Sequence, residues 1–408
     1  MAKIEQLAQA FWRVASTGSE REQRKLLMWL SIAMTLFVFA VMKFRPATML
    51  IDTPTYYSAG ELNMQGLLDA YRTPVYPLLC ALARMIAGEA GRPYFLIALQ
   101  TLAFWASIPL LLRTCCLMSP NGRPIVRFIA VALYCCSIAV QAESLKVCTE
   151  SLSLSAVVVL LWLMVTIFKG NGRWWHGALL GVLYLTMLFL RPYFICFAPV
   201  LVLFMILAWG KSNRGLKLAF FAAIVLNAGA YVAYCHQYEK KFGVFTTNCI
   251  GIQNFSRHLW VMGLLDNPAI YQETFDVYIE HERCREAFNS NRTTYFHCLI
   301  AQSIEATLAL FPDFSLPDGG VKLLSLALNM PLKMWLYLWV VFVSWHIWRG
   351  RKRKKDVRIH AVLSILVVVG IFTAIVGSAL ANYGRLAMPV YPILCLMIAA
   401  PGNFREEE

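Results

Sequence analysis

The chain has 408 residues, 59% hydrophobic and 15% charged, with 37 Lys and Arg against 23 Asp and Glu for a net charge of +14. Soluble domains carry roughly 25% charged and ~45–50% apolar residues, so this composition excludes a soluble enzyme and a disordered chain alike. Its 12 cysteines are too sparse for a disulfide scaffold, and the apolar surplus is enough for many membrane crossings of ~20 residues each.

In chain order, a basic segment 1–25 ends in Arg21, Arg24 and Lys25, and the first apolar run is 26–42. A polar stretch, 43–72, follows, and further apolar runs cover 96–112, 128–140, 152–168, 174–190, 194–209 and 216–234. A long polar segment fills 237–321, after which apolar runs resume at 323–348, 361–380 and 386–400. The fold expected is therefore an all-α polytopic membrane protein with about ten transmembrane helices. Its divisions are a cytoplasmic segment 1–25, a transmembrane core 26–236 that includes a first outer loop 43–93, a large outer loop 237–321, C-terminal transmembrane helices 322–400 and a cytoplasmic tail 401–408. The first apolar run lies far in and lacks a small-residue cleavage site, so it is read as an anchor.

The run 73–87 carries Pro74, Pro77 and Arg84. Read as an interfacial or re-entrant helix, it leaves Arg113, Arg123, Arg127, Lys169, Arg173, Lys211, Arg214, Lys217 and the basic run 349–358 (RGRKRKKDVR) all on one side. Short cytoplasmic loops collect Lys and Arg, so that side is expected inside. No aromatics interleave the basic run, as a nucleic-acid groove would need, and no nucleic-acid partner is expected.

Charges at helix mouths then gather on the opposite, outer face: Asp52, Arg72, Glu143, Lys146, Glu150, Arg191 and Arg385. Ionisable groups near membrane depth are costly, so acids and bases converging on one face point to chemistry. Between Asp52 and Arg72, the residues 55–71 place Met64, Leu67, Leu68 and Tyr71 on one helical face, the pattern of a helix lying flat on a membrane surface.

The order of these pieces resembles a known family: a first span, Ile51-Asp52-Thr53-Pro54, a surface helix, Tyr71-Arg72-Thr73-Pro74 and a run of spans. Thr149-Glu150-Ser151 ahead of a span, Leu190-Arg191-Pro192 at a span end and Tyr383-Gly384-Arg385-Leu386 before Pro389 extend the match. The chain is similar to the GT-C superfamily of membrane glycosyltransferases, in the branch of protein O-mannosyltransferases and lipid A aminoarabinose transferase. The resemblance implies a GT-C-like bundle and a polyprenyl-phosphate-linked sugar donor. The acceptor would be a lipid, glycan or protein, met on the periplasmic or lumenal face, most simply outside a bacterial inner membrane. It implies Asp52 as the general base, Glu150 as a second acid near donor and acceptor, and Arg72 and Arg385 as bases meeting the lipid phosphate. Lys146 and Arg191 join Arg72 and Arg385 as phosphate-binding candidates, because a leaving phosphate needs fixed cations. Tyr56, Glu143 and Tyr383 are further candidates beside them. The first loop lacks the paired acids (Asp-x-Asp or Glu-x-Asp) of some branches, so no metal and no other cofactor is expected, although a divalent ion remains compatible.

Other signals are weaker. There is no Cys-x-x-Cys and no ligand spacing among the seven His, against a zinc site. Two of Cys249, Cys284 and Cys298 are placed to pair in an oxidising compartment, and Asn254-Phe255-Ser256 and Asn291-Arg292-Thr293 match the glycosylation pattern. Two competing functions remain at this point. An O-antigen ligase or polymerase would lean on Arg257-His258 and Arg191. A lipid-linked sugar flippase would need charges inside the spans, where Lys333 is the exception to a largely uncharged set.

Overall fold

The computed structural model describes residues 2–41, 52–266, 276–309, 358–377 and 388–399. Among these residues every regular element is helical and no strand is present. Helices α1 (Ala2–Thr17) and α2 (Glu20–Val41) open the chain. Ser19 starts α2: Glu22 Oε2 accepts its backbone N–H at 2.8 Å while Ser19 Oγ accepts that of Glu22 at 3.3 Å, a reciprocal cap.

Helix α3 (Thr53–Met64) has Asp52 at its N-cap and a proline in its first turn. It is shorter than the 55–71 face predicts. Gly66 takes φ 74°, and Leu67 and Gly66 donate back to the carbonyls of Leu62 and Asn63 at 2.9 and 3.0 Å. This closes the helix in a left-handed cap, so Leu67, Leu68 and Tyr71 lie beyond it and share no helical face with Met64.

Helix α4 (Val75–Met118) is broken at Gly88, where φ is 70° and ψ is 178°. Its first arm, 75–87, spans ~20 Å at 1.5 Å per residue, too short for a ~30 Å bilayer core. That arm lies against α3, with the Gly60 Cα close to the Pro77 carbonyl.

Helices α5 (Pro124–Cys135) and α6 (Ile138–Ser144) are bent by 47° at their junction. The bend frees the Cys135 carbonyl, which accepts Gln141 Nε2–H at 2.7 Å, while Gln141 Oε1 accepts from Thr35 Oγ1 at 2.6 Å. A break at membrane depth needs such internal partners. Helix α7 (Glu150–Thr166) is central: 78% of the apolar window Glu150–Asn171 is buried, against 17% for α10 (Arg214–Phe242). Helix α10 packs on α8 (Trp174–Leu190) through Gly177 and Gly181, whose Cα atoms approach Ala219 and Ala223, the small-residue contact of membrane helix pairs. Helix α9 (Ala198–Ala208) joins them through a 3-10 turn, Pro192–Phe197.

Helices α11 (Ile250–Val261), α12 (Val277–Ser290) and α13 (Arg292–Ala309) occupy the large polar segment. Helix α14 (Arg358–Gly377) packs on the 3-10 turn and α9, and α15 (Tyr391–Ala399) on α5 and α7.

Among the described residues, five helices are long and apolar enough to cross a membrane: Glu20–Val41, Val75–Met118, Glu150–Asn171, Pro192–Lys211 and Arg214–Phe242, with a sixth if the bent α5–α6 pair is one span. These make a multi-pass membrane protein. The apolar helices Trp174–Leu190, Arg358–Ala374 and Met388–Ala399 are shorter, and the expected run 323–348 lies outside the described residues.

The bundle has two chemically different ends. Arg113 meets Glu20 at 3.0 Å, and Lys211 and Arg358 stack over Phe168 at 4.0 and 5.6 Å from its centroid. One end is therefore basic. The other end holds Asp52, Arg72, Glu143, Lys146, Glu150 and Arg191.

Candidate active site

The site is built where α3 and the segment leading into α4 meet the mouths of α6, α7 and α8. Asp69 begins the segment that carries Arg72: its Oδ1 accepts the backbone N–H groups of Tyr71 and Arg72 at 2.8 and 2.7 Å. An Asx turn of this kind holds the chain without regular structure. The guanidinium of Arg72 then turns onto the start of α3. Its Nη2 donates to Asp52 Oδ1 at 2.9 Å, Nε to Thr55 Oγ1 at 2.8 Å and Nη1 to the Tyr56 hydroxyl at 3.3 Å. Its carbon centre lies 4.2 Å over the Tyr56 ring. Side-chain exposure is 13% for Arg72 and 29% for Asp52, so the acid keeps a face open to an incoming group.

A second pair sits deeper. Glu150, the first residue of α7, faces Arg191, the residue closing α8, with Oε1 and Nη2 at 3.6 Å. Both are buried, and Arg191 Nη1 has no hydrogen-bond partner among the described residues. Tyr56 lies between the pairs: burial raises its hydroxyl above the ordinary tyrosine value and Arg72 pulls it back, with the charges of Glu150, Asp52 and Arg191 all reaching it. Its ring packs edge-on to Tyr76 at 4.8 Å.

The 145–149 segment between α6 and α7 is pinned at two carbonyls, one of them through a side chain that is itself held. Gln100 Nε2 donates to the Lys146 carbonyl at 2.7 Å, Gln100 Oε1 accepts from the Tyr76 hydroxyl at 2.7 Å, and Thr53 Oγ1 donates to the Val147 carbonyl at 3.3 Å. Lys146 Nζ donates to Glu143 Oε1 at 2.9 Å, so its ammonium is engaged by the last turn of α6. Cys148 Sγ lies 3.4 Å from Glu143 Oε2. Glu143, Cys148 and Glu150 bring their ligand-type atoms within 4.8 Å of one another. Each carboxylate there already faces a cation, Lys146 or Arg191, which a metal ion would have to displace.

The structure thus joins Asp52, Tyr56 and Arg72 directly, pairs Glu150 with Arg191, and sets Glu143 and Lys146 beside them. Tyr383 and Arg385 lie outside the described residues. Sequence reading missed Thr53, Thr55, Asp69, Gln100 and Cys148. Of these only Asp69 had a readable signal, an Asp two and three residues ahead of the backbone groups it caps.

The large polar segment begins by docking on the stretch leading into α4. Cys249 N–H and the Tyr238 hydroxyl both donate to the Ala70 carbonyl at 2.8 Å, and Lys241 Nζ to the Leu68 carbonyl at 2.7 Å. Further along, Ser256 donates to Glu280 Oε1, Arg283 Nη1 holds Glu280 Oε2 at 2.7 Å, and His258 Nδ1 lies 3.3 Å from the Tyr295 hydroxyl. His258 is fully buried among these packing residues. All 12 cysteines are free thiols. The expected pairing among Cys249, Cys284 and Cys298 is not formed, because Cys249 packs with Tyr238 and Val244 and Cys284 with Leu259 and Tyr295.

Compared with protein-family models, curated proteins and solved structures, the chain gives no match.

Proposed function

We propose that the protein is a membrane glycosyltransferase of the GT-C kind, moving a sugar from a polyprenyl-phosphate donor to a lipid, glycan or protein acceptor. The observation that carries this reading is the pair of Arg–carboxylate contacts, Asp52–Arg72 and Glu150–Arg191, gathered around Tyr56 at one end of a helical bundle. Transfer needs a carboxylate that takes the acceptor hydroxyl proton and fixed cations for the phosphate that leaves. The partly exposed Asp52 suits the first role. Arg72 and Arg191 suit the second, and the unpartnered Arg191 Nη1 is a buried donor that a phosphate oxygen would satisfy.

The chemistry balances without a further reactant. Asp52 accepts the proton as the acceptor oxygen attacks the anomeric carbon; the bond from that carbon to the phosphate oxygen breaks, and polyprenyl phosphate leaves with the electron pair. Attack opposite the leaving group inverts the anomeric centre. A lipid-facing groove supports a lipid donor: Leu180, Tyr184 and Leu188 of α8, Ile195, and residues of α9 and α10 line a cavity of about 280 Å³. Leu188 and Ile195 flank Arg191 in the chain.

The basic end of the bundle faces the cytoplasm by the positive-inside rule, so the site faces outward. An in-membrane assay with a radiolabelled polyprenyl-phosphate sugar tests the function. Label should enter an acceptor fraction with the wild type and not with Arg72→Ala; a panel of such donors that all fail, in membranes holding folded protein, would overturn it.

A further inference from the structure

We propose that a cleft between α2 and α4, at the basic end of the bundle, is a binding site for an anionic phospholipid. Arg24, Lys25, Met28, Trp29 and Ile32 of α2 enclose with Pro109 of α4 a cavity of about 430 Å³. Its chemistry is divided along the helix. Arg24, Met28 and Ile32 follow one another at i, i+4 spacing, as do Lys25 and Trp29, so they share one face. Two cations therefore stand at the mouth, and apolar surface runs for ~12 Å behind them.

A free anion would use the mouth and leave the apolar wall in contact with nothing it prefers. A neutral lipid would fill the wall and leave two cations unmatched. A phosphate-bearing lipid of net negative charge satisfies both, each basic residue near such a surface contributing ~1 kcal/mol. Of the nearest acids in the chain, Glu20 is engaged on Arg113 at 3.0 Å. Glu22 is hydrogen-bonded to Ser19 at 2.8 Å while its charge also reaches Lys25, so Arg24 is the cation without an acid among the described residues.

The neighbouring helix places this corner at a lipid surface. Gln23 Nε2 donates to the Ala15 carbonyl at 3.0 Å, which holds α1 against the start of α2. Along α1, Ile4, Leu7 and Trp12 are exposed, with Phe11 partly covered by the Phe128 ring, on the side opposite Gln6, Gln9 and Arg13. Such a helix lies in the interface plane with its apolar side in the acyl boundary. The site is independent of the proposed glycosyl transfer, which lies at the other end of the bundle.

Native mass spectrometry of the full chain in detergent tests it, titrating palmitoyl-oleoyl phosphatidylglycerol and the matching phosphatidylcholine separately. The first phosphatidylglycerol should bind roughly tenfold or more tightly than the first phosphatidylcholine, and the double variant Arg24→Gln/Lys25→Gln should abolish the preference. Ile32→Trp fills the cleft with both cations kept, and should lower phosphatidylglycerol occupancy too. Equal affinity for the two lipids in the wild type overturns the proposal with no variant needed. Full displacement of the lipid by millimolar inorganic phosphate, with Ile32→Trp binding as the wild type does, overturns it in favour of a free-anion site.

Discussion

Arg72 is held by three side chains at once, Asp52, Thr55 and Tyr56, which a planar fork reaches and a single ammonium does not. Arg72→Ala should therefore nearly abolish donor use, and Arg72→Lys should restore only part of it, read as transfer from a radiolabelled donor. Asp52→Asn keeps the shape and a hydrogen-bonding oxygen but cannot take the proton. The chemical step should fall by roughly 10²–10⁴-fold while donor binding stays close to normal; transfer at the wild-type rate would remove Asp52 as the base. Two thiols give a pH prediction. Burial, reinforced by Asp69 and by Glu280 respectively, pushes Cys249 and Cys284 up to about 12, well above the ~8.5 of a free thiol. A raised value keeps the unreactive protonated form through neutral pH, and thiolate accumulates only as pH climbs toward 12. Mass-spectrometric mapping after iodoacetamide at pH 8 should find both unmodified in the folded protein and modified in denaturant.

At the level of elements, the site depends on how closely α3 lies on the first arm of α4. A Cβ on Gly60 would stand 2.5 Å from the Pro77 carbonyl oxygen, which is backbone and cannot rotate away. Gly60→Ala should lift α3, disturb the Tyr56–Tyr76 contact and loosen Arg72. The expected cost is ~1–3 kcal/mol, seen as a lower Tm in detergent together with reduced transfer. On α10, a methyl added to Gly229 would meet nothing within 4 Å, so Gly229→Ala should leave transfer unchanged and should not lower Tm. Equal behaviour of the two variants would show that the α3–α4 contact does not position the site.

For the molecule as a whole, the separation of charge between the two ends sets the orientation. In a cysteine-free background, single cysteines at Ser58 and Asn289, both exposed, should react with an impermeant maleimide from outside intact cells. A cysteine at Arg123, at the basic end, should react only after permeabilisation. Labelling of Arg123→Cys from outside would invert the topology and with it the side on which the donor is met. Such an inversion would leave the pairing of Asp52 with Arg72 untouched, since that rests on contacts within the chain.

Hydropathy is local and additive along a chain, so the membrane class, the helical content and most apolar helices from α2 to α10 were legible in composition and runs alone. Charged residues at helix mouths were legible for the same reason, because apolar neighbours make each one conspicuous. Lengths were less so. One glycine with a left-handed backbone ended α3 at Met64 although the apolar pattern continued past it, whereas the break of α4 at Gly88 falls where the apolar run 73–87 stops. Which acid meets which base was decided by the tertiary structure. Glu150 and Arg191 stand at opposite ends of chain segments that turn back on each other, and Arg72 finds Asp52 only because Asp69 and the α3–α4 packing aim it there. Coulomb energy depends on distance through space, and that distance is set by how helices pack, which no window of sequence contains.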